Sequence, residues 1–150
     1  MADGRAFLHM TGSGLGLIDY GVLGFSPLPS LEGGEPTDLS DGPGITFDAK
    51  GNNFSILINT VDTVPRFCKC SGADCFQGYR YKVPVTATWA TYTVTWNQFE
   101  LPGFVVNRPN LDASHIITIS FGGLGEDFDV SLDNLRLARS TPLDAAEGGQ

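Results

Sequence analysis

The three cysteines of this chain, Cys68, Cys70 and Cys75, lie within eight residues of one another. Zinc normally takes four ligands at regular spacings, and the two histidines, His9 and His115, are far from this segment in sequence, which disfavours a zinc site. A reactive thiol needs a base and an electropositive pocket, whereas this segment also carries an aspartate. The pattern therefore favours a disulfide. Cys68 and Cys70 are too close to bridge each other without strain, so Cys75 pairs with one of them.

A disulfide at this position would close a short loop and stabilise the fold by about 2–3 kcal/mol on the chain-entropy model. One cysteine is left over, either free or available for an intermolecular bond. Because disulfides persist in oxidising compartments, this interpretation predicts an exported protein, secreted or located at the cell surface or in the periplasm. The first ten residues lack the basic and apolar regions of a signal peptide, so we expect any export signal to have been removed.

The acidic residues do not form a recognisable catalytic motif. Glycoside hydrolysis requires two carboxyl groups about 5–10 Å apart across a cleft, and the acidic residues here fall mainly in turns, at strand ends and in the C-terminal tail. The Gly-x-Ser-x-Gly and His-Glu-x-x-His motifs are absent from the sequence. We therefore expect a protein that is not an enzyme.

The charge of the chain restricts its partners. Seventeen acidic and nine basic side chains give a net charge of −8 and a pI near 4.4. A surface of this sign repels phosphate groups, which argues against binding to nucleic acid or to an anionic membrane. With 41% hydrophobic residues and no apolar run of membrane-spanning length, the 150 residues are typical of one globular domain. We predict that this domain spans residues 3–138 and that 139–150 form a flexible tail or linker.

Alternating apolar and polar residues predict β-strands along the whole chain. No segment carries a sustained helical period, and the short window Trp96–Leu101 is expected to form at most one helical turn. Many short strands separated by Gly, Pro, Asn and Asp turns predict an all-β sandwich or barrel. The predicted strands are Arg5–Thr11, Gly44–Ala49, Phe54–Val61, Tyr79–Thr86, Ala90–Trp96, His115–Phe121 and Asp127–Leu137.

Three segments in a fixed order resemble a known group of proteins. They are Gly44–Lys50 (GITFDAK), the run Trp89–Trp96 (WATYTVTW) and Phe128–Leu135 (FDVSLDNL). The chain is similar over about residues 3–138 to the galactose-binding-like β-jelly-roll modules of bacterial plant-cell-wall hydrolases, namely the family 11 carbohydrate-binding modules and the related CIA30-type domain. The resemblance implies a jelly-roll sandwich that binds glycans without cleaving them and that is attached to a catalytic domain in a longer protein.

The resemblance also implies a structural calcium ion. Asp133 matches the position that supplies a carboxylate in the similar modules, and Asp3 is its expected neighbour. Calcium requires several hard oxygen ligands, of which two carboxylates would be part. The similar modules normally have a strand before the position of Arg5, where this chain has only four residues. The usual first strand is therefore expected to be missing, which would leave a sheet edge able to pair with another chain.

Two pairs of residues are candidates for direct sugar contact. Tyr79 and Tyr81 share one face of a predicted strand, where an aromatic ring could stack on a pyranose; the alternative is that Tyr79 belongs to the core. Asn59 and Asp62 lie opposite the apolar face of their strand and could bond to sugar hydroxyls; the alternative is ordinary turn polarity.

The resemblance places one further pair of candidates on a loop beside the binding cleft. Leu101–Arg108 (LPGFVVNR) is bounded by Pro and Gly and carries Phe104 and Arg108. The resemblance also places Trp89 among core-facing residues, together with Tyr92, Val94 and Trp96.

These observations lead to one prediction and two alternatives. We predict an exported, non-catalytic module that binds a plant-cell-wall β-glucan-type polysaccharide on a concave sheet face. The first alternative is a structural or assembly protein that uses the same sandwich to pair with itself or with a protein partner. The second is a polysaccharide-active enzyme, such as a lyase or glucanase, on a jelly-roll scaffold.

Overall fold

The computed structural model describes residues 6–13, 22–25, 35–63, 78–102 and 110–140. Several predicted features lie outside these ranges, so their placement is not described. They are Asp3, the three cysteines Cys68, Cys70 and Cys75, the loop residues Phe104 and Arg108, and the tail from residue 141 onward. The prediction that a usual first strand is missing concerns residues before Ala6, which also lie outside.

The described residues form two antiparallel four-stranded sheets. Sheet A has the strand order β1-β8-β3-β6, and sheet B has the order β2-β7-β4-β5. The strands are β1 Leu8–Gly12, β2 Val22–Phe25, β3 Gly44–Asn52, β4 Phe54–Thr60, β5 Tyr79–Val83, β6 Ala90–Thr95, β7 Ile116–Leu124 and β8 Phe128–Leu137.

The pairing of these strands defines a jelly roll. β1 pairs with β8, β2 with β7, β3 with β6 and β4 with β5, so each antiparallel pair is nested inside the previous one along the chain. Rolling such a nested set produces two packed sheets without a long crossover. The prediction of an all-β jelly-roll sandwich is therefore confirmed.

The core lies between the two sheets and is built by period-two alternation. Phe54, Ile56 and Ile58 of β4 are fully buried against the inner face of sheet A. The rings of Phe47 and Phe54 meet edge to face with centroids 5.6 Å apart, and Phe121 packs 6.2 Å from Phe54. Such aromatic pairs contribute about 0.5–1.5 kcal/mol each beyond the area that they bury.

Strands β3 and β4 follow each other with a single residue between them, yet they lie in different sheets. Asn53 makes this corner with a positive φ of 51°, a conformation that asparagine adopts more readily than most residues. Its side-chain amide donates to the carbonyl of Asp127 over 2.7 Å, and the Asn52 side chain accepts from the backbone N–H of Asp129. The corner is therefore fixed to the start of β8.

The helical content of the described ranges is two 3-10 turns, Trp96–Gln98 and Ala113–His115. The first confirms the helical turn expected near Trp96. The indole nitrogen of Trp96 donates to the carbonyl of Gly42 over 2.7 Å. Among the residues described here, no helix is long and apolar enough to cross a membrane.

Candidate functional site

The structure places the two predicted sugar-contact tyrosines on the inner face of sheet B. Tyr79 pairs with Ile58 and Tyr81 pairs with Ile56, and directly paired residues of antiparallel strands point to the same side. Tyr79 is only 2% exposed, so it offers almost no surface to a sugar ring. Tyr81 is partly buried and its ring lies 6.0 Å from that of Phe99.

The predicted polar contacts lie on the other side of the same sheet. Asn59 is 4% exposed and accepts a hydrogen bond from the Thr63 hydroxyl over 3.1 Å. Its amide nitrogen lies 3.4 Å from the hydroxyl of Thr118. Asp62 is partly buried in the turn after β4, where its backbone N–H donates to the Thr60 hydroxyl. Tyr79 and Tyr81 therefore lie on the face of sheet B opposite to that of Asn59, and Asp62 lies in the turn that follows β4.

An open cleft of about 440 Å³ lies elsewhere, on the outer face of sheet A. The residues that line it come from the segment before β1 and from β1, β3, β8 and the loop before β6. We call it the Trp89 cleft because Trp89 contacts two of its lining residues. The lining residues are Phe7, His9, Lys50, Gly51, Asn52, Ala87, Asp129 and Ser131.

Strand register brings the polar residues of the cleft together. His9 and Lys50 both pair with Ser131, one from each side of β8, and Asn52 pairs with Asp129. These positions alternate with buried residues such as Val130, so their side chains point outward. The row is therefore continuous across three neighbouring strands.

Gly51 allows β3 and β8 to approach each other beneath the cleft. Its φ of 131° lies in a region that side-chain-bearing residues rarely adopt, and a Cβ atom there would come within 1.9 Å of the Asp129 carbonyl oxygen. Glycine is therefore required at this position of the cleft.

An aromatic pair stands at the cleft: Phe7 lines it, and Trp89 lies beside it in contact with Phe7. The rings of Phe7 and Trp89 meet edge to face, with centroids 5.3 Å apart. The ammonium of Lys50 lies 5.3 Å from the centroid of the Trp89 ring, a cation–π contact worth about 0.5–1 kcal/mol at an exposed site. Trp89 nevertheless keeps 41% of its surface exposed.

The expectation that Trp89 packs in the core is wrong. Val94 and Tyr92 pair with Ile45 and Phe47, which places them on the inner face of sheet A. Trp89 lies three positions before Tyr92 and five before Val94, so the same alternation, continued one residue before β6, directs it outward. This parity was the signal in the sequence that could have identified Trp89 as a surface residue.

Among the described lining residues, the ionisable side chains are one lysine, one histidine and one aspartate. His9 Nε2 lies 2.8 Å from Asp129 Oδ1, and both side chains are more than half exposed. An exposed pair of this kind contributes at most about 1 kcal/mol to stability. Among the described residues, no carboxylate lies within ion-pair distance of the Lys50 ammonium.

The predicted calcium ligand Asp133 lies in β8 directly opposite Asp48 of β3. The Asp48 carboxylate accepts from the Thr91 hydroxyl over 2.6 Å and from the Asn134 amide over 2.7 Å. Calcium takes six to eight oxygen ligands, and the described residues contain no cluster of three acidic, histidine or cysteine side chains. Asp48 and Asp133 are two carboxylates of the larger ligand set that calcium needs, and Asp3 lies outside the described ranges.

Asp112, Ser114 and His115 have the residue types of a catalytic triad but not its geometry. The Ser114 hydroxyl and Asp112 Oδ2 both lie 2.8 Å from the same ring nitrogen, Nδ1 of His115. A triad requires the serine and the carboxylate on opposite ring nitrogens. The hydrogen bond from the Ser114 side chain is the main cause that lowers the pKa of Asp112. This cluster caps the 3-10 turn before β7.

No protein-family model and no curated protein matches this chain. Among solved structures, the chain is similar to a family 11 carbohydrate-binding module from Clostridium thermocellum in complex with a β-1,3-1,4-mixed-linked tetrasaccharide. The identity is 17%, the match covers 89% of both chains, and the TM-score is 0.49. It is also similar to the family 11 carbohydrate-binding module of a cellulosomal cellulase of Clostridium thermocellum. There the identity is 16%, the coverage is 89% of this chain and 88% of that chain, and the TM-score is 0.47.

Proposed function

We propose that this protein is a carbohydrate-binding module and that the Trp89 cleft is its glycan-binding site. The observation that carries the proposal is the exposed Trp89 ring beside an open cleft of hydrogen-bonding side chains. Its volume of about 440 Å³ is within the range of small-ligand sites in proteins.

The chemistry of the cleft suits a sugar. The C–H face of a pyranose packs on an aromatic ring, and Trp89 and Phe7 provide such rings. A sugar hydroxyl can both donate and accept a hydrogen bond. The cleft offers both functions, because Asn52 and Ser131 can donate and accept and the Asp129 carboxylate accepts. Each such hydrogen bond adds only about 0.5–1.5 kcal/mol net, so affinity depends on several of them acting together with the aromatic contact.

We propose that the module binds without cleaving. Asp129 is the carboxylate of the described cleft lining, and it is already bonded to His9. Glycoside hydrolysis uses two carboxyl groups that flank the scissile bond. A single paired carboxylate suits recognition of a hydroxyl better than proton transfer to a leaving group.

The ligand that we propose is a β-linked plant-cell-wall polysaccharide of the β-glucan type. The proposal extends to an exported bacterial protein in which the module concentrates an attached catalytic domain on its substrate. It is supported by the sequence resemblance over residues 3–138 together with the jelly-roll order of the strands.

Affinity electrophoresis tests this function. Native gels would contain mixed-linkage glucan, xyloglucan, hydroxyethyl cellulose, xylan, mannan or laminarin. We expect retardation in at least one β-glucan gel and its loss in the Trp89→Ala variant. Leu137→Ala is the matched control, because Leu137 is also an exposed apolar side chain and lies outside the cleft lining.

Free migration of the folded protein through every gel would contradict the proposal. If that result came with concentration-dependent oligomers, the assembly alternative would be favoured instead. Release of reducing sugar from any of the polymers would favour the enzyme alternative.

A further inference from the structure

We propose that the Trp89 cleft recognises a glycan that carries a carboxylate, namely a β-linked backbone with scattered uronic-acid side groups, through the ammonium of Lys50. This inference rests on the proposed function and extends the ligand of the same site from neutral β-glucans to other β-linked glycans that carry isolated uronic-acid groups. Three features support it: the positive charge of Lys50, the absence of a described carboxylate in ion-pair contact with it, and the negative net charge of the whole molecule.

Lys50 is one of only three lysines in the chain. β3 and β8 place three carboxylates on this outer face of sheet A, and each has a partner. Asp129 is bonded to His9, and Asp48 accepts from Thr91 and Asn134. Asp133, opposite Asp48, accepts from the backbone N–H of Asn134 over 2.7 Å. The Lys50 ammonium therefore lies at the cleft over the Trp89 ring with no described carboxylate in ion-pair contact.

An ammonium in this setting discriminates between ligands. A hydrogen bond between an ammonium and a carboxylate is charge-assisted and roughly twice as strong as one to a neutral hydroxyl. A uronic-acid group that reaches Lys50 while the backbone packs on Trp89 would gain this difference. His9 adds positive charge to the same face when it is protonated, although Asp129 is there to offset it.

The charge of the whole molecule limits how acidic the glycan is. A protein with a net charge of −8 repels a densely charged polyanion at distances up to about the Debye length. A neutral backbone with isolated carboxylates avoids most of this repulsion and still offers the group that Lys50 binds. Glucuronoxylan has this composition and is the probe of choice.

The test compares glucuronoxylan oligosaccharides with the same oligosaccharides after chemical reduction of the uronic acid to the neutral sugar. Binding would be measured by isothermal titration calorimetry at low and at physiological salt. We expect the wild-type protein to bind the acidic form about fivefold more tightly, which corresponds to the difference between a charge-assisted and a neutral hydrogen bond. The preference should shrink as salt is added.

Three variants assign the effect to Lys50. Lys50→Gln should bind both oligosaccharides equally, and Lys50→Arg should keep the preference. Lys82→Gln also removes one positive charge, but from sheet B, where Lys82 is paired with Glu126. This variant should keep the preference for the acidic oligosaccharide. Thermal unfolding of each variant would confirm that it is folded.

The outcomes separate this inference from the proposed function. Equal binding of both forms by the wild type, or a preference that survives in Lys50→Gln, would overturn the carboxylate inference while glycan binding stands. A wild-type protein that binds neither these oligosaccharides nor any polysaccharide of the gel panel would overturn both.

Discussion

At the residue scale, small differences in position decide which aromatic side chains meet solvent. Tyr81 belongs to the edge strand β5, and Trp89 directly precedes the edge strand β6. Strand register directs Tyr81 inward, whereas alternation directs Trp89 outward. Tyr81 therefore packs against Phe99, whereas Trp89 keeps two-fifths of its surface exposed beside the cleft. These contacts lead to different expectations for the two rings.

Replacement of Tyr81 by alanine should lower stability without affecting glycan binding. The side chain is partly buried, so we expect a loss of about 1–2 kcal/mol in the free energy of unfolding, less than for a fully buried aromatic residue. Urea unfolding would measure it, with Tyr81→Phe as the control that keeps the ring. Loss of binding in a folded Tyr81→Ala variant would instead return the site to sheet B.

Two aspartates near the start of β7 should have pKa values below that of an ordinary aspartate. Side-chain hydrogen bonds from Ser40 and from Ser114 are the main causes that lower the pKa of Asp38 and of Asp112, respectively. Because these pKa values are lower in the folded protein, the carboxylates stabilise it above the ordinary carboxyl range. That contribution is lost as the pH falls through the lowered values.

NMR titration of the carboxyl carbons would test this assignment. Ser114→Ala should raise the pKa of Asp112 and leave Asp38 largely unchanged, and Ser40→Ala should do the reverse. Each variant is thus the control for the other. Unchanged pKa values in both variants would show that the serine hydroxyls are not responsible.

At the element scale, an irregularity in β8 organises the polar surface next to the cleft. The β3–β8 register shifts between Thr46 and Asp48, and opposite this shift Asn134 has a positive φ of 52°. An extra residue in one strand bends it locally and redirects a side chain. Here the side-chain amide of Asn134 in β8 donates to the carboxylate of Asp48 in β3, next to Asp133.

Calcium binding through Asp133 is a prediction that belongs to this element. A ligand that binds only the folded state raises its stability, so calcium should raise the midpoint of thermal unfolding by roughly 5 °C over a chelator. Asp133→Asn should remove that difference, whereas Asp127→Asn in the preceding turn should keep it. Equal midpoints for the wild type in calcium and in chelator would contradict a structural calcium ion.

Most strands were predictable from alternation because each has one buried face. β3, β4 and β8 begin at or within one residue of the predicted positions. β2, Val22–Phe25, was missed because four residues, one of them glycine, are too short to show a period. All seven residues of β4 are buried. Because its sequence alternates like that of a strand with one exposed face, alternation did not predict that Asn59 is buried.

At the scale of the whole molecule, the nested pairing of the jelly roll creates the candidate site. β1 and β8 lie side by side, so His9 meets Asp129 across 120 residues of sequence. Phe7, which precedes the edge strand β1, also contacts Trp89, which precedes β6 at the other edge of sheet A. Such juxtapositions depend on strand order, which one sequence without an alignment does not reveal. The sequence could therefore predict the fold class, but it could not predict which face carries the cleft.

The central claim is that a glycan binds at the Trp89 cleft, and the two indole N–H signals of the protein test it most directly. The chain contains two tryptophans, and the Trp96 indole is bonded to the Gly42 carbonyl. In a two-dimensional NMR titration with a β-linked gluco- or glucuronoxylo-oligosaccharide, we expect the Trp89 indole signal to shift together with amides of His9, Lys50 and Asn52. The Trp96 signal should stay in place. An unmoved Trp89 signal, or shifts confined to sheet B, would contradict the account.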